Sequence, residues 1–442
     1  MALPRSGDSP SSLLRSRRFG PFFATQFLGA FNDNLFKNTL ILMVVYQAAD
    51  AASINQLTNL AAGLFILPYL LFSALAGQLA DRYEKAALIR TLKLFEVALM
   101  LLTAQALLSA NLSLLLLLLF LMATQSALFS PIKFALIPQH LERWQWVAGN
   151  GMVEAGTFAA ILLGTLLAGV IYPLPGGILF VSVLICLQAL LGWQCSRHIP
   201  LAPSVAPELR PDWNPLRATI RLTATYWHRP RLRFLILCNS WFWFVGASYL
   251  TQVPYFAKSV LGGDPTTVSW LLGCFTVGIG GGSLLCNRLK RDRLGREMIA
   301  LGLVAMVLGG LDLALTGMTP PQQGQLGVQE LLSTLAGLRI SVDIIVLGAG
   351  GGFYIVPLCT QFQACTDGSD RARAFAVSNI FNALFMIASA ITGMVLLGFS
   401  GWPIPQFFLL LALLNLLALV LLGRARPHWL AASWWRLRGR RL

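Results

Sequence analysis

Hydrophobic runs of roughly 20 residues recur twelve times along this 442-residue chain, and each can cross the ~30 Å hydrocarbon core of a bilayer as a helix. They occupy about 20–46, 55–79, 86–108, 112–138, 147–171, 177–196, 233–257, 267–287, 297–317, 340–365, 373–399 and 403–423. In lipid the backbone must satisfy its own polar groups, so uninterrupted apolar runs of this length become helices. Hydrophobic residues make up 56% of the chain and charged residues only 12%, against about 25% charged in an average soluble domain. A soluble enzyme with a single anchor is excluded. The fold expected is an all-α membrane protein with twelve transmembrane helices in two six-helix bundles.

Charge placement gives the topology. The formal net charge is +15, and 29 of the 33 Lys and Arg fall at alternate helix ends. They cluster in the N-terminal tail, around Arg82 to Lys93, at Arg143, over 197–233, over 288–296, at Arg371 and Arg373, and in the C-terminal tail. The excess of positive charge on cytoplasmic loops then puts both termini in the cytoplasm, with an even number of spans. The basic charge is thus a topology signal, with attraction to anionic membrane lipids as a secondary effect, and no nucleic-acid partner is expected. The N-terminal tail carries Arg5, Arg15, Arg17 and Arg18 with no apolar core, unlike a signal peptide. Seven single cysteines, without a CxxC, point to free thiols and no metal site. His140, His198, His228 and His428 sit at helix ends on one side and suggest no proton relay.

The expected organisation is a cytoplasmic N-tail (1–19), a six-helix bundle (20–197), a cytoplasmic linker (198–231), a second six-helix bundle (232–423) and a basic, Trp-rich interfacial C-tail (424–442). The linker contains Pro200, Pro203, Pro207, Pro211, Pro215 and Pro230, too many for one continuous helix. Weak echoes connect the halves: Pro131 then Asn150 in the first, Pro357 then Asn379 in the second. Six-helix repeats in parallel are the mark of the major facilitator architecture.

The polar stretch from Gln26 to Asn38 interrupts the first span with Asn32, Asp33, Asn34, Lys37 and Asn38. Asp33 falls near the bilayer midplane, where a charge costs about 2.5–3.5 kcal/mol on insertion scales. Lys37 is four residues on and shares its helical face, and Asn34 and Asn38 form a second such pair. Such a face must meet a wet cavity or protein, never lipid. It either locks helix packing as a structural ion pair or lines a transport path; the amount of polarity favours the path.

After the second span, Gly77-Gln-Leu-Ala-Asp81-Arg82-Tyr-Glu84-Lys85 resembles the loop 2–3 signature of the major facilitator superfamily, G-x-x-x-D-R/K-x-G-R/K. Its Gly allows close helix approach, and its Asp can accept from a neighbouring helix N-terminus or pair with Arg82, closing the cytoplasmic side. Glu84 stands where the pattern has a second Gly. Within that superfamily the 26–38 stretch, Ser130-Pro131-Ile-Lys133 and Gly149-Asn150-Gly-Met-Val-Glu154 through Gly164 resemble the lysophospholipid transporters. That resemblance implies movement of lysophospholipids, chiefly lysophosphatidylethanolamine, from the outer to the inner leaflet of a bacterial inner membrane. A separate or fused acyltransferase then re-acylates them. It implies substrate or coupling roles for Asp33, Asn34, Lys133 and Glu154, while Lys37 lies beyond the shared pattern. The run from Ser240 to Gln252 resembles relatives fused to acyltransferase domains.

A zwitterionic headgroup wants a cation for its phosphate and a carboxylate for its ammonium. Asp33 and Lys133 offer that pair, and Lys133 and Glu154, at a shared depth, can instead bridge two helices. Asn32 and Asn150 complete the candidate substrate or coupling set; Gly77, Asp81 and Arg82 are the gating set. Glu96 with Lys93, and Asp343 with Arg339, read as solvated or interfacial pairs near helix ends. The Gly348–Gly352 run follows no strand and reads as close packing or a bend. No ATP motif, cofactor or catalytic residue is expected, and an intramembrane Asp can serve either Na⁺ or H⁺ as coupling ion. The rival readings are a cation-coupled exporter of drugs or other small amphiphiles on the same scaffold, and a membrane-embedded acyltransferase or recruitment platform.

Overall fold

The computed structural model describes residues 10–47, 51–290, 294–318 and 327–426. Most of the C-tail assigned an interfacial role, with its Trp429, Trp434 and Trp435, lies outside these residues, as do residues 1–9 of the N-tail. Among the described residues there are twelve helices of at least 20 residues. They are α1 (Gly20–Gln47), α2 (Ala51–Arg82), α3 (Lys85–Leu108), α4 (Leu112–His140), α5 (Trp146–Ile171) and α6 (Gly177–Ser196), followed by α7 (Pro230–Ser259), α8 (Pro265–Leu289), α9 (Arg296–Gly317), α10 (Leu335–Cys365), α11 (Arg371–Gly393) and α12 (Ile404–Ala425). Eleven are long and apolar enough to span a membrane. The exception is α1, whose 28 residues reach about 42 Å but carry the polar stretch.

Local chemistry sets the helix starts. Asn111 accepts from the Leu114 N–H at the head of α4. Asp264, followed by Pro265, accepts from the Thr267 N–H at the head of α8. Each such cap is worth about 1 kcal/mol. The linker is not wholly irregular: Asn214 and Pro215 start a 13-residue helix, Pro215–Trp227.

Two compact units emerge. The first comprises Met1–Gln145, Ala160–Leu237 and Phe362–Ala383; the second comprises Trp146–Ala159, Cys238–Gln361 and Leu384–Leu442. In the first, α1 packs on α6 and α4, α2 packs on α4, and α3 packs on α4 and α6. Its core is filled by Leu35, Phe36, Leu40 and Met43 of α1 against Met100, Leu118, Met122 and Ile185. In the second unit, α9 packs along α12, and the glycine run of α10 lies against α8. A Cβ on Gly352 would stand 2.6 Å from the Ile279 carbonyl oxygen. This is backbone-to-backbone packing of helices, with no loop to hold a nucleotide.

The topology makes a direct prediction. A cysteine replacing Leu174, half exposed between α5 and α6, should react with an impermeant maleimide added outside intact cells. Glu208→Cys, in the linker, should react only after permeabilisation. Labelling of position 208 in intact cells would invert the orientation.

Candidate functional site

The polar stretch of α1 is enclosed on several sides within the first unit. Asn32, Asp33 and Asn34 are all buried. Asp33 Oδ2 accepts from Ser126 Oγ of α4 at 2.5 Å, and the carboxylate lies in the fields of Glu96, Lys93 and Lys37. Lys37 Nζ donates to Asn34 Oδ1 at 3.1 Å and sits 4.8 Å over the Phe65 ring of α2. Asn38 donates to the Asn34 carbonyl and to Thr165 Oγ1 of α5, at 2.7 and 3.0 Å. Close approach by α5 is possible because residue 164 is glycine: a Cβ there would stand 2.6 Å from the Phe31 carbonyl oxygen.

Behind this stretch lies a group that the spacing of charges misjudged. Lys93 Nζ and Glu96 Oε2 of α3 are 2.6 Å apart with side chains only 2% exposed. The pair is not solvated. Glu96 also accepts from Gln125 Nε2 at 3.1 Å and Asn32 Nδ2 at 3.4 Å, so its carboxylate is shared by α1, α3 and α4. Room for the Lys93 stem comes from Gly29 on α1, where a Cβ would collide with Nζ, and from Gly192 on α6. Gln125 and Ser126 are themselves in contact at 3.3 Å, linking Glu96 to Asp33 through a chain of side chains. Glu96 thus has the Lys93 ammonium as its counter-ion in this buried cluster, as burial demands, while Asp33 is held by Ser126 and the half-buried Lys37 by Asn34.

The second misjudged pair is at the start of α10. Arg339 grips Asp312 of α9, with Nε donating to Oδ2 at 2.7 Å and a second bond from Nη2 to Oδ1. Asp312 therefore takes the partner expected for Asp343, because a neighbouring helix offers the guanidinium a better two-pronged fit than its own.

The other candidates are placed as follows. Lys133 is half-buried on α4, with Nζ 4.8 Å over the ring of Phe134. Its helix carries Pro131 within it, which removes one backbone donor, and the neighbouring Ser130 Oγ accepts from Asn379 of α11 at 2.9 Å. Glu154 and Asn150 lie buried on α5 in the second unit, where Asn150 donates to Thr360 Oγ1 at 3.1 Å. The hydrogen bond of Asp33 thus goes to Ser126, two turns before Lys133 on the same helix.

The turn after α2 forms a second constellation. Asp81 is fully buried and accepts from Arg373 Nε at 2.9 Å. It also takes the backbone N–H groups of Ala372 and Arg373, both at 3.3 Å, in the first turn of α11. A carboxylate there meets both the unsatisfied N–H groups and the positive end of the helix dipole. Gly77 allows the approach, since a Cβ would stand 2.7 Å from Arg373 Cα. Arg82 instead lies 5.2 Å from the Tyr83 ring. Glu84, where the pattern has glycine, caps α3 by accepting from the Ala86 and Ala87 N–H groups and reaches Ala202 of the linker.

Asp81→Asn removes the charge that attracts Arg373 and the α11 dipole while preserving shape. Cysteine labelling from the cytoplasm at the start of α11 should rise, with substrate binding less affected. Unchanged accessibility together with unchanged flux would deny Asp81 a gating role.

Comparison with known proteins agrees with this architecture. The Major Facilitator Superfamily model matches residues 22–338 and 254–433. Lysophospholipid transporter LplT of Cronobacter sakazakii is 25% identical over 383 residues, which cover 84% of this chain and 87% of the relative. The protein of that name from Escherichia fergusonii is 26% identical over 405 residues, 88% of this chain and 92% of the relative. The human organic anion transporter MFSD10 (TETRAN) superposes with a TM-score of 0.73 at 12% identity, covering 92% of this chain and 99% of its own. The E. coli fucose:proton symporter FucP does so at 0.65 and 13% identity, covering 91% and 97%. With twelve long helices, the signature between α2 and α3 and a family match over most of its length, this chain belongs to the Major Facilitator Superfamily.

Proposed function

We propose that this transporter moves lysophospholipids, chiefly lysophosphatidylethanolamine, from the outer to the inner leaflet of a bacterial inner membrane by alternating access. The observation that carries the reading is the buried cluster around Asp33, which sets carboxylates and ammonium groups side by side within the membrane. A headgroup with one phosphate and one ammonium is complementary to such a cluster: Asp33 takes the ammonium, and Lys37 or Lys133 takes the phosphate. Asn32 and Asn34 supply neutral hydrogen bonds, and Asn150 and Glu154 of the second unit are substrate or coupling residues in their own right. The names of the relatives, matched over most of their length, support the same substrate class.

In this reading the single acyl chain lies along apolar helix faces while the headgroup crosses through the wet side of α1. Gly77, Asp81 and Arg82 govern closure on the cytoplasmic side. The product would be a substrate for a cytoplasmic-side lysophospholipid acyltransferase. Asp33 is also the residue through which Na⁺ or H⁺ would couple to transport.

The test is uptake of labelled lysophosphatidylethanolamine into spheroplasts, with and without the gene and with each ion gradient collapsed in turn. Gene-dependent uptake supports the reading, and the gradient that slows it names the coupling ion. Equal uptake with and without the gene would refute it. Gene-dependent efflux of drugs or other small amphiphiles in its place would favour the exporter.

A further inference from the structure

The linker joins the two halves of the sequence, yet it does not hang free. Ala202 and Ser204–Ala206 are pinned to the turn after α2: the N–H groups of Val205 and Ala206 both donate to the Asp81 carbonyl, at 3.1 and 2.9 Å. The Asp212 N–H then donates to Gln78 Oε1 at 2.8 Å, and Thr219 Oγ1 of the linker helix donates to the Leu70 carbonyl at 3.3 Å. Along this path the linker climbs α2 away from its cytoplasmic end. Leu70 is twelve residues before Arg82, so about 18 Å inside that end.

One face of the linker helix wedges α2 to the first half of α11. Ala218 packs in a buried cluster with Ala74 of α2 and Ile380 of α11, with Leu222 alongside. Trp227 stacks on Phe381 with ring centroids 5.0 Å apart. Past the helix end, Arg229 Nη1 holds Asp370 Oδ2 at 2.6 Å, just before α11 begins. The opposite face is apolar and uncovered: Trp213, Leu216 and Ile220 are 67%, 62% and 71% exposed. Leu216 and Ile220 are four residues apart on the helix and line one stripe, and Trp213 stands just before the Asn214 cap. Arg217 and Arg221 flank the stripe, and Arg217 is oriented by a two-pronged bond to Asp212.

The helix stands beside two segments long and apolar enough to span a membrane. A tryptophan and branched aliphatics bordered by arginines suit the junction of acyl chains and anionic headgroups, with the arginines snorkelling outward. We propose that the linker helix is a lid seated in the inner leaflet. Its inner face seals the seam between α2 and α11, and its outer face lies among the acyl chains of an anionic membrane. The lid role rests on the lipid-substrate reading above: when α11 leaves Asp81, the helix loses its inner seat, and the seam opens sideways as an exit for an acyl chain.

Two measurements test it. Leu216→Cys, Ile220→Cys and Glu208→Cys are made in protein lacking the exposed Cys365, purified, and placed in vesicles of phosphatidylethanolamine and phosphatidylglycerol. An impermeant maleimide should label position 208 but not 216 or 220, and SDS should restore labelling at both. Labelling of position 220 at the rate of position 208 would overturn the seating. In the second, a cross-link between Ala74→Cys and Ala218→Cys should abolish lysolipid flux, with recovery on reduction. Full flux with the helix locked down would overturn the lid. A wild-type protein without lysolipid flux would defeat the substrate reading instead, and the labelling would still decide where the helix lies.

Discussion

Asp33→Asn is expected to yield a folded, inserted protein whose lysolipid flux falls to near background. The substitution keeps volume and leaves Ser126 an oxygen to donate to, so the α1–α4 contact at 2.5 Å has a neutral counterpart. What it removes is the charge. A charge-assisted bond to a substrate ammonium is worth roughly 1.5–3 kcal/mol, which is about a 10- to 150-fold loss. The cluster would also keep Lys37 and Lys93 against Glu96 alone, an excess of one positive charge in a place that favours neutrality. Lys133→Gln should lower flux for the complementary reason, by removing a phosphate partner. If folded Asp33→Asn protein transports at the normal rate, the polar stretch of α1 is structural.

The second large effect is on stability. Glu96→Gln leaves the Lys93 ammonium, with a side chain only 2% exposed, without its 2.6 Å counter-ion. Breaking a buried pair from one side costs about 3–5 kcal/mol, because the remaining charge is uncompensated. Lys93→Met should cost a similar amount. The double variant should recover most of the loss, since no lone charge remains and Met fills the stem's channel past Gly29 and Gly192. The readout is the fraction of detergent-solubilised protein that stays monodisperse after heating. A double variant as unstable as the two single losses added together would mean that the residues do not act as a pair.

Much of the fold was legible because the bilayer imposes a single strong rule. Apolar runs of sufficient length become helices, and the twelve expected spans lie close to the twelve long helices found. The α1 stretch was legible as a face turned away from lipid for the converse reason: polarity at that depth must meet protein or water. Lys93 and Glu96 were misread because three-residue spacing near a helix end has the same appearance on a wet surface and in a core. The signals that could have revealed them are Gly29, Gly192 and the intramembrane Gln125, small or polar residues on other helices that make sense only around a buried cation. Arg373, which holds Asp81 from a position 292 residues away, carries no local mark of that pairing. The linker helix had one, since Asn214-Pro215 is a helix start, but the density of prolines around it pointed to irregular chain.

The central claim is tested most directly by the purified protein in vesicles, with fluorescent lysophosphatidylethanolamine in the outer leaflet and its arrival in the inner leaflet timed. Wild-type protein should speed that movement well above protein-free vesicles, and Asp33→Asn protein should not. A wild-type rate no faster than bare lipid, in vesicles where the same protein moves an amphiphilic organic cation, would contradict the account.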